Sequence, residues 1–112
     1  MTRKSHILAG AVGITIVLAT AMPAAMAAQT VIDQKGLKFV PNAVTINAGD
    51  TILFTNSDPF THDVTVVGAN GAPSDKGLEH HGESKVVSFP DKGTFSVICT
   101  MHPNMKATVT VK

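Results

Sequence analysis

Three residues whose side chains bind soft metal ions stand at three-residue intervals near the end of the chain: Cys99, His102 and Met105, within Val97-Ile98-Cys99-Thr100-Met101-His102-Pro103-Asn104-Met105. One thiolate, one imidazole and one thioether suit a cupric or cuprous ion but leave its coordination open. A copper site that passes electrons takes one thiolate, two imidazoles and a distant axial thioether, so the loop requires a second histidine. His62, His80 and His81 are the candidates that follow the N-terminal segment. His62 is preferred. It stands where a Pro-containing turn, Asn56-Ser57-Asp58-Pro59, gives way to the β-type run His62-Asp63-Val64-Thr65-Val66-Val67, and a site that must not rearrange needs ligands on a rigid element. His80 and His81 lie in Gly77-Leu78-Glu79-His80-His81-Gly82 with no cysteine or methionine beside them, and read as two solvated loop histidines.

The redox compartment agrees with a metal reading of Cys99. The chain opens with Arg3 and Lys4, continues with an apolar run from Ile7 to Ala21, and ends that run in small residues. This is the layout of a secretory signal peptide, with cleavage expected after Ala27. Gly10, Gly13 and Pro23 interrupt the segment and argue against a membrane anchor. Small exported domains often add disulfides, but the single cysteine of this 112-residue chain forms none internally. A bound metal explains it better than a buried inert thiol or a dimerising disulfide.

Residues 28–112 are expected to form one domain. Seven Lys then face eight Asp plus Glu, so no clustered positive charge suggests a nucleic-acid partner. The texture is β throughout. Leu37–Val40, Ala43–Asn47, Thr51–Asn56, His62–Val67, Lys85–Phe89, Thr94–Ile98 and Lys106–Lys112 are rich in Val, Ile, Thr and Phe and alternate with period two. Turn residues separate them, notably Ala48-Gly49-Asp50 and Asp91-Lys92-Gly93. The expectation is an all-β fold, a Greek-key β-sandwich or barrel of about seven to eight strands. Residues 68–84 lack a pattern and are expected to be a surface connection.

The run Phe39-Val40-Pro41-Asn42-Ala43-Val44-Thr45-Ile46-Asn47-Ala48-Gly49-Asp50-Thr51-Ile52-Leu53-Phe54-Thr55-Asn56-Ser57-Asp58, the strand-initial His62 and the loop Cys99-Thr100-Met101-His102-Pro103-Asn104-Met105 together resemble the cupredoxins, the type 1 blue copper proteins. The compact spacing of Cys99, His102 and Met105 is amicyanin-like within the plastocyanin and pseudoazurin group. The resemblance implies one copper ion with His62, Cys99 and His102 as equatorial ligands and Met105 as the axial one. It further implies a soluble periplasmic electron carrier, not an enzyme, cycling Cu(II)/Cu(I). Its expected partners are redox proteins such as a periplasmic dehydrogenase and a c-type cytochrome, and it is expected to be monomeric. A copper chaperone or storage protein is the alternative. An oxidase or nitrite reductase would need His-x-His pairs and further domains. The chain departs from the family pattern at Asp63, where Asn is usual, and from the amicyanin pattern at Thr61, Met101 and Asn104. An Asp accepts hydrogen bonds but does not donate them when ionised, so Thr100 is its expected partner.

Overall fold

The computed structural model describes residues 27–112, and the expected export segment therefore lies outside it except for Ala27. Nine strands follow: β1 Gln29–Gln34, β2 Phe39–Val40, β3 Ala43–Ile46, β4 Thr51–Asn56, β5 His62–Val67, β6 Pro73–Glu79, β7 Ser84–Ser88, β8 Gly93–Ile98 and β9 Lys106–Val111. They form a four-stranded sheet in the order β2-β1-β4-β7 and a five-stranded sheet in the order β3-β9-β8-β5-β6. Parallel pairing of β1 with β4 and of β3 with β9 closes the β-sandwich, while the other ladders are antiparallel.

Alternation builds the core. Ile52 and Phe54 of β4 and Ala107, Val109 and Val111 of β9 turn inward and meet Ile32, Val64, Val97 and Phe89. β5 departs from the rule, with five consecutive buried residues from His62 to Val66. It lies between β8 and β6, and its polar side chains at 62, 63 and 65 are buried because other polar groups bond them.

Two strands were not legible in the sequence pattern. β1 reads Gln-Thr-Val-Ile-Asp-Gln and buries only Ile32 and Gln34, so its inner face carries a polar residue where an apolar one would advertise a strand. Residues 68–84, expected as a surface connection, are largely exposed but contain a strand that was not expected: Pro73–Glu79 is an edge strand held by main-chain pairing to β5. An edge strand needs no apolar face, so composition conceals it. Between the pairs Asp63↔Leu78 and Thr65↔Asp75 the ladder shifts register. Gly77 takes up that bulge at φ +99, with its N–H donating to Asp75 Oδ1 at 2.7 Å. Lys85 Nζ covers the strand by donating to the carbonyls of Lys76 and Leu78 at 2.9 and 3.0 Å.

One buried polar pair ties the two sheets together. Gln34 and Glu79 are both wholly inaccessible. Gln34 Nε2 donates to Glu79 Oε1 and to the carbonyl of Thr55, whereas Gln34 Oε1 and Glu79 Oε2 have no partner. Burial pushes the Glu79 carboxyl up to about 7, against the opposing effects of the Gln34 donor and of Lys85. A proton on Oε2 removes the buried charge and gives that oxygen a hydrogen to donate.

Candidate metal centre

The β5 start and the β8–β9 loop meet at one end of the sandwich. His62 heads β5, its main chain paired to Glu79 of β6, so its ring projects from a strand held on both sides. Cys99 follows directly on β8, and the chain turns back at once: His102 N–H donates to Cys99 O at 3.2 Å, Met105 N–H to His102 O at 2.8 Å, and Cys99 N–H to Met105 O at 3.3 Å. These turns place Cys99, His102 and Met105 on one tight loop before β9.

The result is a triangle of donor atoms. His62 Nδ1 lies 3.1 Å from His102 Nδ1, and Cys99 Sγ lies 3.8 Å from the first and 3.6 Å from the second. Bonds of about 2.0 Å to nitrogen and about 2.3 Å to sulfur, the lengths typical of zinc with such donors, require edges of about 3.1–3.8 Å at angles of about 100–125°. The residues therefore fit a single ion at the centre. Among the described residues this is the only cluster of three or more His, Cys, Asp or Glu with that closeness. His62, Cys99 and Met105 are buried, and His102 is half-buried. Met105 is wholly inaccessible, part of the core beneath the loop.

The polar surroundings hold the donors in place. Cys99 Sγ accepts from the N–H of Asp63 at 3.5 Å. Burial pushes the Cys99 thiol up, and the Asp63 carboxylate adds to that effect, against the backbone donors of Asp63 and Met101. The metal-free site thus carries a thiol at neutral pH, and binding of a metal to the thiolate releases its proton. Asp63 is satisfied as its chemistry requires: Oδ1 accepts from Thr100 N–H and Thr100 Oγ1, both at 2.8 Å, and Oδ2 from Thr65 Oγ1 at 2.8 Å. Burial raises its pKa, but these donors outweigh it and hold the carboxyl below the usual range. Asp63 thus supplies the link between β5 and the loop that an Asn would otherwise make.

Asp58 and Asn56 brace the site and were not among the residues singled out from the sequence. Asp58 Oδ2 accepts from His62 Nε2 at 2.9 Å, and its carboxylate also accepts the N–H groups of Gly36 at 2.6 Å and Leu37 at 2.9 Å. Burial pushes the Asp58 carboxyl up, but the Leu37, His62 and Gly36 donors win and hold it below the ordinary value. Asn56 accepts from Asp58 N–H at 2.9 Å and donates to the carbonyls of Phe60 and Glu79 at 2.8 and 2.9 Å. The signal available for this turn is Asn56-Ser57-Asp58-Pro59, with Asp58 four residues before His62. His80 and His81 stand outside the triangle and are exposed. Each braces the same turn through its Nδ1: His80 bonds Thr61 Oγ1 at 2.8 Å, and His81 bonds the carbonyl of Asp58 at 2.8 Å.

Residues 26–112 match the model of the copper-binding plastocyanin/azurin family. The chain belongs to that family. This cupredoxin is 32% identical over 90 residues to plastocyanin of Ulva prolifera, spanning 71% of this chain and 92% of the relative. It is 36% identical over 77 residues to plastocyanin of Vicia faba, spanning 60% of this chain and 78% of that one. Amicyanin from Paracoccus versutus shares the fold at a TM-score of 0.69 and 23% identity, over 75% of this chain and 81% of its own. A copper-containing nitrite reductase from Thermus scotoductus superposes at a TM-score of 0.69 and 28% identity, with 85% of this chain covering 25% of that one. The family binds copper, and His62, Cys99, His102 and Met105 of this cupredoxin form a candidate type 1 copper site.

The Asp63 carboxylate carries a measurable consequence. Its negative charge beside the site favours the higher oxidation state, so Asp63→Asn should raise the Cu(II)/Cu(I) potential by roughly 30–60 mV, about 0.7–1.4 kcal/mol. Voltammetry of both proteins at neutral pH checks this. An unchanged or lower potential in the variant rejects the charge argument.

Proposed function

We propose that this cupredoxin is a small blue copper electron carrier in which His62 Nδ1, Cys99 Sγ and His102 Nδ1 would hold the ion and Met105 would supply the fourth, thioether donor. The donor triangle carries the reading, because its edges already suit one ion and each corner is fixed by strand pairing or by a tight turn. Copper bound there supplies a one-electron Cu(II)/Cu(I) couple in a ligand set that serves both oxidation states. The protein keeps those ligands still and excludes water from Cys99.

His102 is the exit. Phe60, Met101 and Leu37 are 52%, 47% and 41% exposed around the half-buried ring, and Phe60 lies with its centroid 6.4 Å from that of His102. A groove lined by Leu37, Lys38, Met101, His102, Pro103 and Asn104 completes the rim. An apolar rim of this kind suits brief contact with another redox protein. The partners proposed are a dehydrogenase and a c-type cytochrome of the periplasm, with a monomeric carrier moving between them. Residues 1–27 are proposed to direct export and to be removed, leaving 28–112 as the mature cupredoxin domain. Among the described residues no helix is long and apolar enough to cross a membrane.

The decisive experiment loads the exported protein with copper and cycles it between a reductant and a c-type cytochrome in the presence of a Cu(I) chelator. A carrier shows the intense thiolate-to-copper band, exchanges electrons repeatedly and keeps its copper. Surrender of copper to the chelator in the first reduced cycle rejects the carrier in favour of a chaperone.

A further inference from the structure

Asp58 bonds two parts of the molecule at once, the head of β5 and the β1–β2 turn. Its buried carboxylate takes three donors: His62 Nε2 from β5, and the adjacent N–H groups of Gly36 and Leu37 from the β1–β2 turn. That turn is unusual. Gly36 and Leu37 have φ of +64 and +59, so a branched side chain occupies the left-handed region that favours glycine. Successive N–H groups in such a turn converge into a concave anion site, and the Asp58 carboxylate fills it. The conformation places Leu37 on the same groove as His102, Met101 and Pro103. The main chain of Asp58 is itself pinned, its N–H by Asn56 Oδ1 and its carbonyl by His81 Nδ1.

We propose that Asp58 is a positioning residue that couples the buried ligand His62 to the β1–β2 turn on the exit face, through one carboxylate shared by both. The inference rests on the copper reading given above. Acceptance of the Nε2 proton leaves Nδ1 of His62 as the lone-pair donor, directed at Cys99 and His102, and the charged acceptor makes the imidazole a stronger ligand. A stronger, more anionic ligand favours Cu(II). The same oxygens hold Leu37 where a partner at His102 must touch it, so the donor triangle and the docking rim share one support.

Asp58→Asn tests both halves, because three donors then converge on a single amide oxygen and at least one loses its acceptor. In the copper-loaded variant the Cu(II)/Cu(I) equilibrium should move about tenfold toward Cu(I), equivalent to about 59 mV for one electron. In the metal-free variant the Gly36 and Leu37 amides should exchange with solvent about tenfold faster than in wild type, the loss of roughly one hydrogen bond. A shift of the equilibrium below about threefold, or unchanged exchange of both amides, overturns the assignment. Should the variant fail to fold, nitrogen NMR of the metal-free wild type decides: protonation of His62 at Nε2 supports the role, and a neutral ring protonated at Nδ1 overturns it. A wild-type protein without the blue band overturns this inference and the carrier reading together, whereas a blue wild type whose potential is unmoved by Asp58→Asn overturns the inference alone.

Discussion

Replacing Cys99 with serine should abolish the intense visible band of the copper-loaded protein. That band is charge transfer from thiolate to metal, and a serine hydroxyl is a hard oxygen donor that stays protonated at neutral pH. Affinity for copper should fall by more than about 100-fold, since loss of a partner behind a ligand already costs about 10–100-fold. Cys99 is also 1% exposed, packed in the core, where a more polar and smaller hydroxyl replaces the thiol, so destabilisation of about 1–3 kcal/mol should accompany the change. Circular dichroism separates the two effects. A folded variant that remains blue would remove Cys99 from the site.

The second large effect is on stability and comes from the Gln34–Glu79 pair. Glu79 titrates near 7 in the folded protein, against an ordinary value of 4.5. The folded state therefore binds a proton that the unfolded state has released over that interval, and stability falls as pH rises through it. The contribution is fully present below about pH 4.5, declines toward 7 and is absent above, a difference of up to roughly 3 kcal/mol. Asp58 and Asp63 act with the opposite sign: their depressed pKa values give stability that is present above the ordinary 3.8 and is lost as pH falls. Glu79→Gln isolates the first effect, because the amide is uncharged at every pH and its NH₂ can donate to Gln34 Oε1. Urea unfolding of the metal-free proteins should show the variant about 2–3 kcal/mol more stable than wild type at pH 8 and nearly equal to it at pH 4.5. A wild-type-to-variant difference that does not change with pH rejects a proton on Glu79.

The sequence by itself determined the all-β class, because runs such as Thr51–Asn56 and Lys106–Val111 alternate Val, Ile and Phe with polar residues at the period of a strand. It also determined the donor types, since Cys99, His102 and Met105 lie within one seven-residue loop and their proximity needs no long-range folding. His62 was legible only through its place at the head of a strand; what brings its Nδ1 to 3.1 Å from that of His102, 40 residues away, is the ladder between β5 and β8 and the loop beyond it. The tertiary structure alone decided β6, whose side chains carry no pattern because an edge strand is bound by its main chain. It alone decided that Gln34 and Glu79, 45 residues apart, would meet inside the sandwich, where burial raises the pKa of the carboxyl. Asp58 belongs with these. A carboxylate near a histidine in sequence is ordinary, and its chemistry depends on burial and on which N–H groups reach it. Those donors come from the β1–β2 turn, and only the closed sandwich brings that turn to His62, because hydrogen bonds act over a few ångströms in space and are indifferent to distance along the chain.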